Sequence, residues 1–186
     1  MGDPKKIRKK FERPKLMWNK ERIDHDHGLR DRYGLKNLRE LWKVSTEVSR
    51  IRRNVREVLS GRSTEKVGFS IRDRLARYNV ISKDATIDDM LNITPEALLD
   101  RRLQSLVFKK GLARTPKQAR QLITHGFISV NGQKVKSPGF MVSIDQEGHI
   151  GYYKPINLDF NAAPGEMAPT TAPAVEAAAA AEPKGE

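Results

Sequence analysis

The stretch Thr94–Ile144, TPEALLDRRLQSLVFKKGLARTPKQARQLITHGFISVNGQKVKSPGFMVSI, decides the fold. Thr94 followed by Pro95 predicts a helix start, with Thr as N-cap and Pro at the first helical position, where its missing N–H costs nothing. The helix is expected to run to Lys110 and stop at Gly111, the residue type that accepts a left-handed backbone beyond a C-cap. Leu99, Leu103, Leu106 and Val107 share one face at helical spacing. A second helix opens at Thr115-Pro116-Lys117-Gln118, with a reciprocal capping box expected between Thr115 and Gln118. Ala119, Leu122 and Ile123 form its apolar stripe, and Gly126 ends it. Ile128 and Val130 then alternate, Asn131-Gly132 supplies the favoured two-residue hairpin turn, and Val135 resumes the pattern. Phe140, Val142 and Ile144 alternate as a third strand. Asp145–Gly148 reads as a turn and His149–Tyr153 as a last strand with Ile150 and Tyr152 inward.

Charge in this stretch is one-sided. Arg101, Arg102, Lys109, Lys110, Arg114, Lys117 and Arg120 are basic, and no acid follows Asp100 until Asp145. Lys117, Arg120, Gln121 and Thr124 fall opposite the apolar stripe of the second helix. A solvated helix face normally mixes acids with bases in i,i+4 pairs. A face of one sign repels itself and is stabilised when phosphates arrive, so these residues are expected to bind nucleic acid.

Arg101-Arg102-Leu103, Val107-Phe108-Lys109, Gly111-Leu112-Ala113, Ala119-Arg120-Gln121-Leu122-Ile123, His125, Ile128, Val130-Asn131-Gly132, Val135 and Pro138 together resemble the RNA-binding module of the small-subunit ribosomal protein S-four family. The same module occurs in tyrosyl-tRNA synthetases, pseudouridine synthases and small stress proteins, so the flanks decide. Tyr33-Gly34-Leu35-Lys36-Asn37 followed by Arg39-Glu40-Leu41-Trp42-Lys43-Val44 resembles the lead-in segment of the archaeal and eukaryotic branch of that ribosomal family. Family members in other lineages carry Cys ligands for zinc near the N-terminus. This chain has no Cys, so that feature does not transfer.

The flanks also speak in their own terms. The chain has 186 residues and a net charge of +12, with pI near 10. Asn161–Glu186 holds four Glu against one Lys, so Met1–Phe160 carries +15. Such a balance points to a polyanion, and charge spread over the whole body favours nucleic acid over a membrane surface. No apolar run is long enough to span a bilayer, and no signal-peptide pattern opens the chain. The lack of Cys removes thiolate chemistry and Cys-based zinc sites and fits a reducing cytoplasm.

Met1–Arg22 sets nine bases, among them Lys5, Lys6, Arg8, Lys9 and Lys10, against three acids. Pro4 and Pro14 break it, and Phe11 and Trp18 are available to stack on bases, so it reads as an extension that orders along RNA. Asp24-His25-Asp26-His27 is the only ligand-like cluster. Adjacent residues rarely converge on one ion, so a polar turn before Gly28 is expected and no metal. Val44–Leu59 is a helix with Val44, Val48, Ile51, Val55 and Val58 inward; Arg50, Arg52, Arg53 and Arg56 either bind RNA or only solvate it. Ser70–Tyr78 is a further helix, with Ile71, Leu75 and Tyr78 inward. Asp84–Met90 is a turn with one short helical piece, and Pro155–Phe160 an extended exit. From Asn161 the chain is an Ala/Pro/Glu tail with five consecutive Ala, expected to be disordered.

The expected fold is α+β, with a small all-helical subdomain and a module of two short helices on a small, mainly antiparallel sheet. The expected boundaries are a basic extension at 1–44, the helical subdomain at 45–93, the module at 94–160 and the tail at 161–186. The resemblance implies a structural protein of the small ribosomal subunit in the cytoplasm, without cofactor. It would bind small-subunit ribosomal RNA early in assembly, contact neighbouring ribosomal proteins and lie near the messenger RNA entrance. An RNA-modifying enzyme is the alternative; its one suspect carboxylate, Asp73 between Arg72 and Arg74, falls on a predicted helix, and the four His are scattered. A stress-type RNA chaperone would not need Tyr33–Tyr78. Deleting Asn161–Glu186 removes a net charge of −3 that competes with phosphate. Affinity for a small-subunit ribosomal RNA fragment, measured by filter binding, should stay the same or rise slightly; a large loss would make the tail part of the binding surface.

Overall fold

The computed structural model describes residues 10–82 and 84–154. The acidic tail, the exit at Pro155–Phe160 and Lys5, Lys6, Arg8 and Lys9 lie outside these residues.

Helix α1, Lys20–Arg32, starts at Asn19, whose side chain accepts from the Arg22 amide at 3.1 Å. The turn expected at Asp24–His27 is therefore helical, and the basic extension ends earlier than foreseen. Helix α2, Leu38–Leu59, begins six residues before the expected start and buries Leu41, Thr46, Val48, Ile51, Val55 and Val58. The boundary expected at 44/45 falls inside it. Helix α3, Glu65–Arg77, buries Gly68, Ile71, Leu75 and Ala76, and a 3-10 turn at Asp88–Asn92 buries Met90.

The single helix expected over Thr94–Lys110 is two helices, α4 at Pro95–Asp100 and α5 at Leu103–Lys109. Nothing local breaks it, since no Gly or Pro lies between Pro95 and Gly111. The cause is tertiary. Arg102 is extended (φ −73°, ψ 145°) and pairs antiparallel with Met141. The Leu103 amide donates to the Phe140 carbonyl at 2.8 Å, and the Val142 amide to the Arg101 carbonyl at 3.2 Å. These bonds replace rungs of the helical ladder, satisfying the backbone polar groups in another way.

Helix α6, Pro116–His125, is capped by Thr115, which accepts from the Gln118 amide at 3.1 Å, and ends at left-handed Gly126. Strands β1 (Ile128–Val130), β2 (Gln133–Lys134) and β3 (Ile150–Tyr152) form an antiparallel sheet in the order β2-β1-β3. Asn131 and Gly132, at φ 51° and 75°, make the expected hairpin turn. The third strand expected at Phe140–Ile144 shrinks to the bridge at Met141, because Ser143 and Gln146 form a capping box that starts helix α7, Ile144–Glu147. Ile150 is buried as expected. Tyr152 instead lies at the surface, where its hydroxyl donates to the Leu112 carbonyl at 2.6 Å.

The fold is thus α+β. Its helical part and its module share apolar packing. Leu98 of α4 joins Val48, Ile51, Val55, Ile71, Leu75, Met90 and Ile93, while Leu99 joins Leu29, Tyr33, Leu35 and Leu41. The boundary expected at 93/94 therefore cuts through both clusters. Within the module, Leu103, Val107, Ala119, Ile123, Ile128 and Val142 are fully buried between the helices and the strands.

Gly34 links the parts. Its φ is +60°, and a Cβ built there would lie 2.9 Å from Pro116 Cβ and 3.0 Å from Gln104 Nε2. At Gly132 (φ +75°) a Cβ would meet nothing within 4 Å. Alanine at Gly132 therefore carries backbone strain alone, about 1 kcal/mol. Gly34→Ala adds the close approach, for a total of about 2–5 kcal/mol. Urea unfolding of both variants checks this, and equal losses would show that Gly34 serves conformation only.

Candidate nucleic-acid interface

The basic residues of the module divide into two groups. Arg101 and Arg102 are only 8% and 7% exposed, which corrects their expected place on an outward face. They sit at the break between α4 and α5, where Arg101 ends one helix and extended Arg102 precedes the next, and both side chains turn inward. Arg101 Nη2 donates to Glu147 Oε2 at 2.7 Å, and Arg102 Nη2 to Glu40 Oε2 at 2.9 Å. Arg120 also turns in, its Nη2 donating to Glu40 Oε1 at 2.7 Å and its Nη1 to Glu40 Oε2 at 3.1 Å. The local absence of acids is offset by carboxylates from α2 and α7.

Glu40 therefore bridges two guanidinium groups. Beside it, fully buried Gln104 aims its amide nitrogen at the carbonyls of Tyr33, Gly34 and Pro116, at 3.1, 3.0 and 2.9 Å. Its Oε1 accepts from Arg120 at 3.4 Å. Sequence reasoning missed Glu40 and Gln104; the signal was the Gly34 to Glu40 segment itself, whose residues match the module's partners only in three dimensions. The Tyr33 hydroxyl donates to Asp100 at 3.3 Å, and burial with the Asp100 charge pushes its pKa up to about 12. It therefore stays a donor across the physiological range.

Lys109, Lys110, Arg114, Lys117 and Gln121 are exposed and surround the turn from α5 to α6. Lys109 pairs with Asp100 at 3.0 Å, an exposed contact of little energetic weight. The Lys110 ammonium donates to the Glu147 carbonyl. Arg114 and Lys117 have no ion pair among the described residues. The Arg114 amide donates to Gln118 Oε1 at 2.7 Å, so the expected capping box is displaced by one residue and pins the loop before α6.

Upstream, Lys10 is exposed. Phe11 packs on Trp42 with ring centroids 6.1 Å apart, and the Glu12 amide donates to Thr46 Oγ1 at 3.0 Å. Phe11 thus anchors the extension to α2 rather than standing free for a base, whereas Trp18 is 93% exposed. Of the α2 arginines, Arg52 turns in to donate to the Ile93 carbonyl at 2.6 Å, while Arg50, Arg53 and Arg56 stay outside. His25 and His27 lie exposed on α1, and Asp26 pairs with Arg22 at 2.7 Å.

Burial pushes the Glu40 carboxyl up, but the hydrogen bonds and charges of Arg120 and Arg102 outweigh it and hold it below its ordinary value. With the folded pKa below the unfolded one, the stabilisation is fully present above the unfolded carboxylate value of about 4.3 and is lost as pH falls through the folded pKa. Glu40→Gln leaves two inward guanidinium groups without their counter-charge. The loss at neutral pH should be about 2–4 kcal/mol, under the roughly 3–5 for a fully buried pair. Unfolding curves from pH 7 to pH 3 should show the gap between wild type and variant closing in acid. A constant gap would mean that the carboxylate charge does not hold the arginines.

Comparison with known proteins matches residues 101–147 to the S4 domain. Beyond that segment, the chain is 44% identical over 155 residues to small ribosomal subunit protein uS4 of Methanococcus aeolicus, covering 82% of this chain and 88% of the relative. It is 46% identical over 159 residues to the protein of the same name from Thermoplasma volcanium, covering 83% and 80%. With that of Saccharolobus solfataricus it shares 45% over 159 residues, covering 82% and 86%.

Proposed function

The chain belongs to the small ribosomal subunit protein uS4 family, and from that premise we propose that it binds small-subunit ribosomal RNA directly as a structural constituent of the particle. The observation that carries the reading is the sorting of cations. Three arginines are consumed by internal carboxylates, while Lys109, Lys110, Arg114, Lys117 and Gln121 remain outward on a frame held by those same carboxylates. Cations on a fixed frame meet phosphates without a large ordering cost, which is how backbone contacts position a protein on RNA. Arg101, Arg102 and Arg120 serve by fixing that frame. Lys5, Lys6, Arg8 and Lys9 add four positive charges to the sequence that precedes exposed Lys10, and Trp18 is exposed to stack on an unpaired base.

In this reading the protein acts in the cytoplasm and helps to nucleate subunit assembly. It also touches neighbouring ribosomal proteins, and supports translational accuracy from a position near the messenger RNA entrance. It needs no catalytic machinery. His25, His27, His125 and His149 are all exposed, and Asp73 lies exposed on α3 beside Arg72 at 3.3 Å.

Replacing Lys109, Lys110, Arg114 and Lys117 with Gln should lower affinity for a small-subunit ribosomal RNA fragment. The log–log salt slope should flatten by about 3–4, given roughly 0.7–0.9 per phosphate contact. An unchanged slope in a folded variant would remove this face from the interface. Co-sedimentation of the full chain with small subunits in high salt tests the wider reading.

A further inference from the structure

A second basic feature lies away from the α5–α6 turn. Arg13 from the extended N-terminal segment, Arg30 from the last turn of α1, and Lys36 and Arg39 from the turn into α2 line one cleft of about 640 Å³ together with Met17 and Trp42. Its lining contains four cations and no acid. Arg30 is paired sideways with Asp31 at 3.2 Å, whereas Arg13, Lys36 and Arg39 are exposed and have no ion pair among the described residues. The acid that sequence puts beside Arg39, Glu40, faces the other way and is saturated by Arg102 and Arg120.

Two further observations concern what the cleft recognises. Asn37 and Glu40 have the spacing of a capping box, yet Asn37 makes no side-chain cap and Glu40 is committed elsewhere, so no side chain satisfies the first amides of the 22-residue α2. These amides and the helix dipole add to the positive field at the cleft. Trp42, whose ring lines the cleft, has its Nε1 buried without a hydrogen-bond partner among the described residues. Every polar group singled out here donates, and none is an acceptor-only group.

We propose that this cleft is a phosphate-binding site for the backbone of the same ribosomal RNA, separate from the face around the α5–α6 turn; the inference rests on the RNA-binding reading above. The occupant is nucleic acid rather than a protein carboxylate because the cations converge from three segments on one concave site, and because exposed Trp18 adjoins Met17 of the lining. A phosphate in the cleft and a base on the indole are one nucleotide's worth of chemistry.

The test uses the full chain and a small-subunit ribosomal RNA fragment that the wild type binds. Lys36→Gln with Arg39→Gln should flatten the log–log salt slope by about 1.4–1.8 and weaken binding by roughly 25–60-fold at 0.1 M salt, from roughly 0.7–0.9 per contact. Circular dichroism confirms folding, and the charge-preserving pair Lys36→Arg with Arg39→Lys should restore most of the affinity. A second readout needs no affinity change. In a Trp18→Phe chain, Trp42 is the sole remaining Trp of two. Its emission should shift on RNA binding, and the Gln pair should abolish the shift under saturating RNA. An unchanged slope and an unchanged emission response, while the Lys109/Lys110/Arg114/Lys117 variant loses affinity, overturn the cleft and leave the family reading standing. Failure of the wild type to bind any small-subunit fragment overturns both.

Discussion

The carboxylate of Glu40 holds this molecule together in a way no apolar contact does. The body of the chain, Met1–Phe160, carries +15, and its module has no acid of its own between Asp100 and Asp145. Packing α5 against α6 forces Arg102 and Arg120 toward each other, and two guanidinium groups inside a protein need a shared counter-charge. Glu40 supplies it across 62 and 80 residues of sequence, to Arg102 and Arg120 respectively. A buried ion pair contributes little net stability against apolar replacements. It does specify geometry, because its oxygens accept only donors placed within hydrogen-bond reach. Here the specified geometry is that of α2 against α5 and α6.

The broken helix at Arg101-Arg102 follows from the same constraint. A continuous helix from Pro95 to Lys109 would fix Arg101 and Arg102 about 100° apart on one cylinder. With Arg102 extended, the two side chains diverge toward separate acids, and the freed backbone groups pair with Phe140 and Val142. Consequently α4 packs with the helical part through Leu98 and Leu99, while α5 packs with the module. The module has no clean upstream edge, and the match to the S4 domain begins at Arg101, where the break occurs.

This explains which features were legible in the sequence. The N-caps at Thr94 and Thr115, the glycine stops at Gly111 and Gly126 and the Asn131-Gly132 hairpin depend on partners within about five residues and are legible in the sequence; only the return arm of the Thr115 box shifts, to the Arg114 amide. The apolar face of α2 was legible because five inward residues recur at helical spacing. Helix α1 was not, since Leu29 is its only buried residue and no period can be drawn from one. The inward turn of Arg101, Arg102 and Arg120 was invisible for a different reason. Burial of a charge is decided by its partner, and the partners lie 46 to 80 residues away. A run of bases without local acids signals an exposed face only if no distant carboxylate reaches it.

The distinction between inward and outward bases governs how RNA can be held. Residues that would meet phosphate stand immediately beside those that build the frame. Arg39 precedes Glu40 on α2, and Lys117 lies one turn before Arg120 on α6. The Glu40–Arg120 bridge therefore ties the first turn of α2 to the second turn of α6 through a few bonds, two of them 2.7 and 3.1 Å long. Gly34 passes between them, too close to Pro116 and Gln104 to admit a methyl group. With so little slack, cations on either side of the bridge keep a fixed spacing. A flexible basic chain would accept any polyanion by charge alone. In the proposed reading, a rigid pair of basic sites favours an RNA whose phosphates already stand at that spacing, so that folded RNA shape, rather than base sequence, would be what the protein reads.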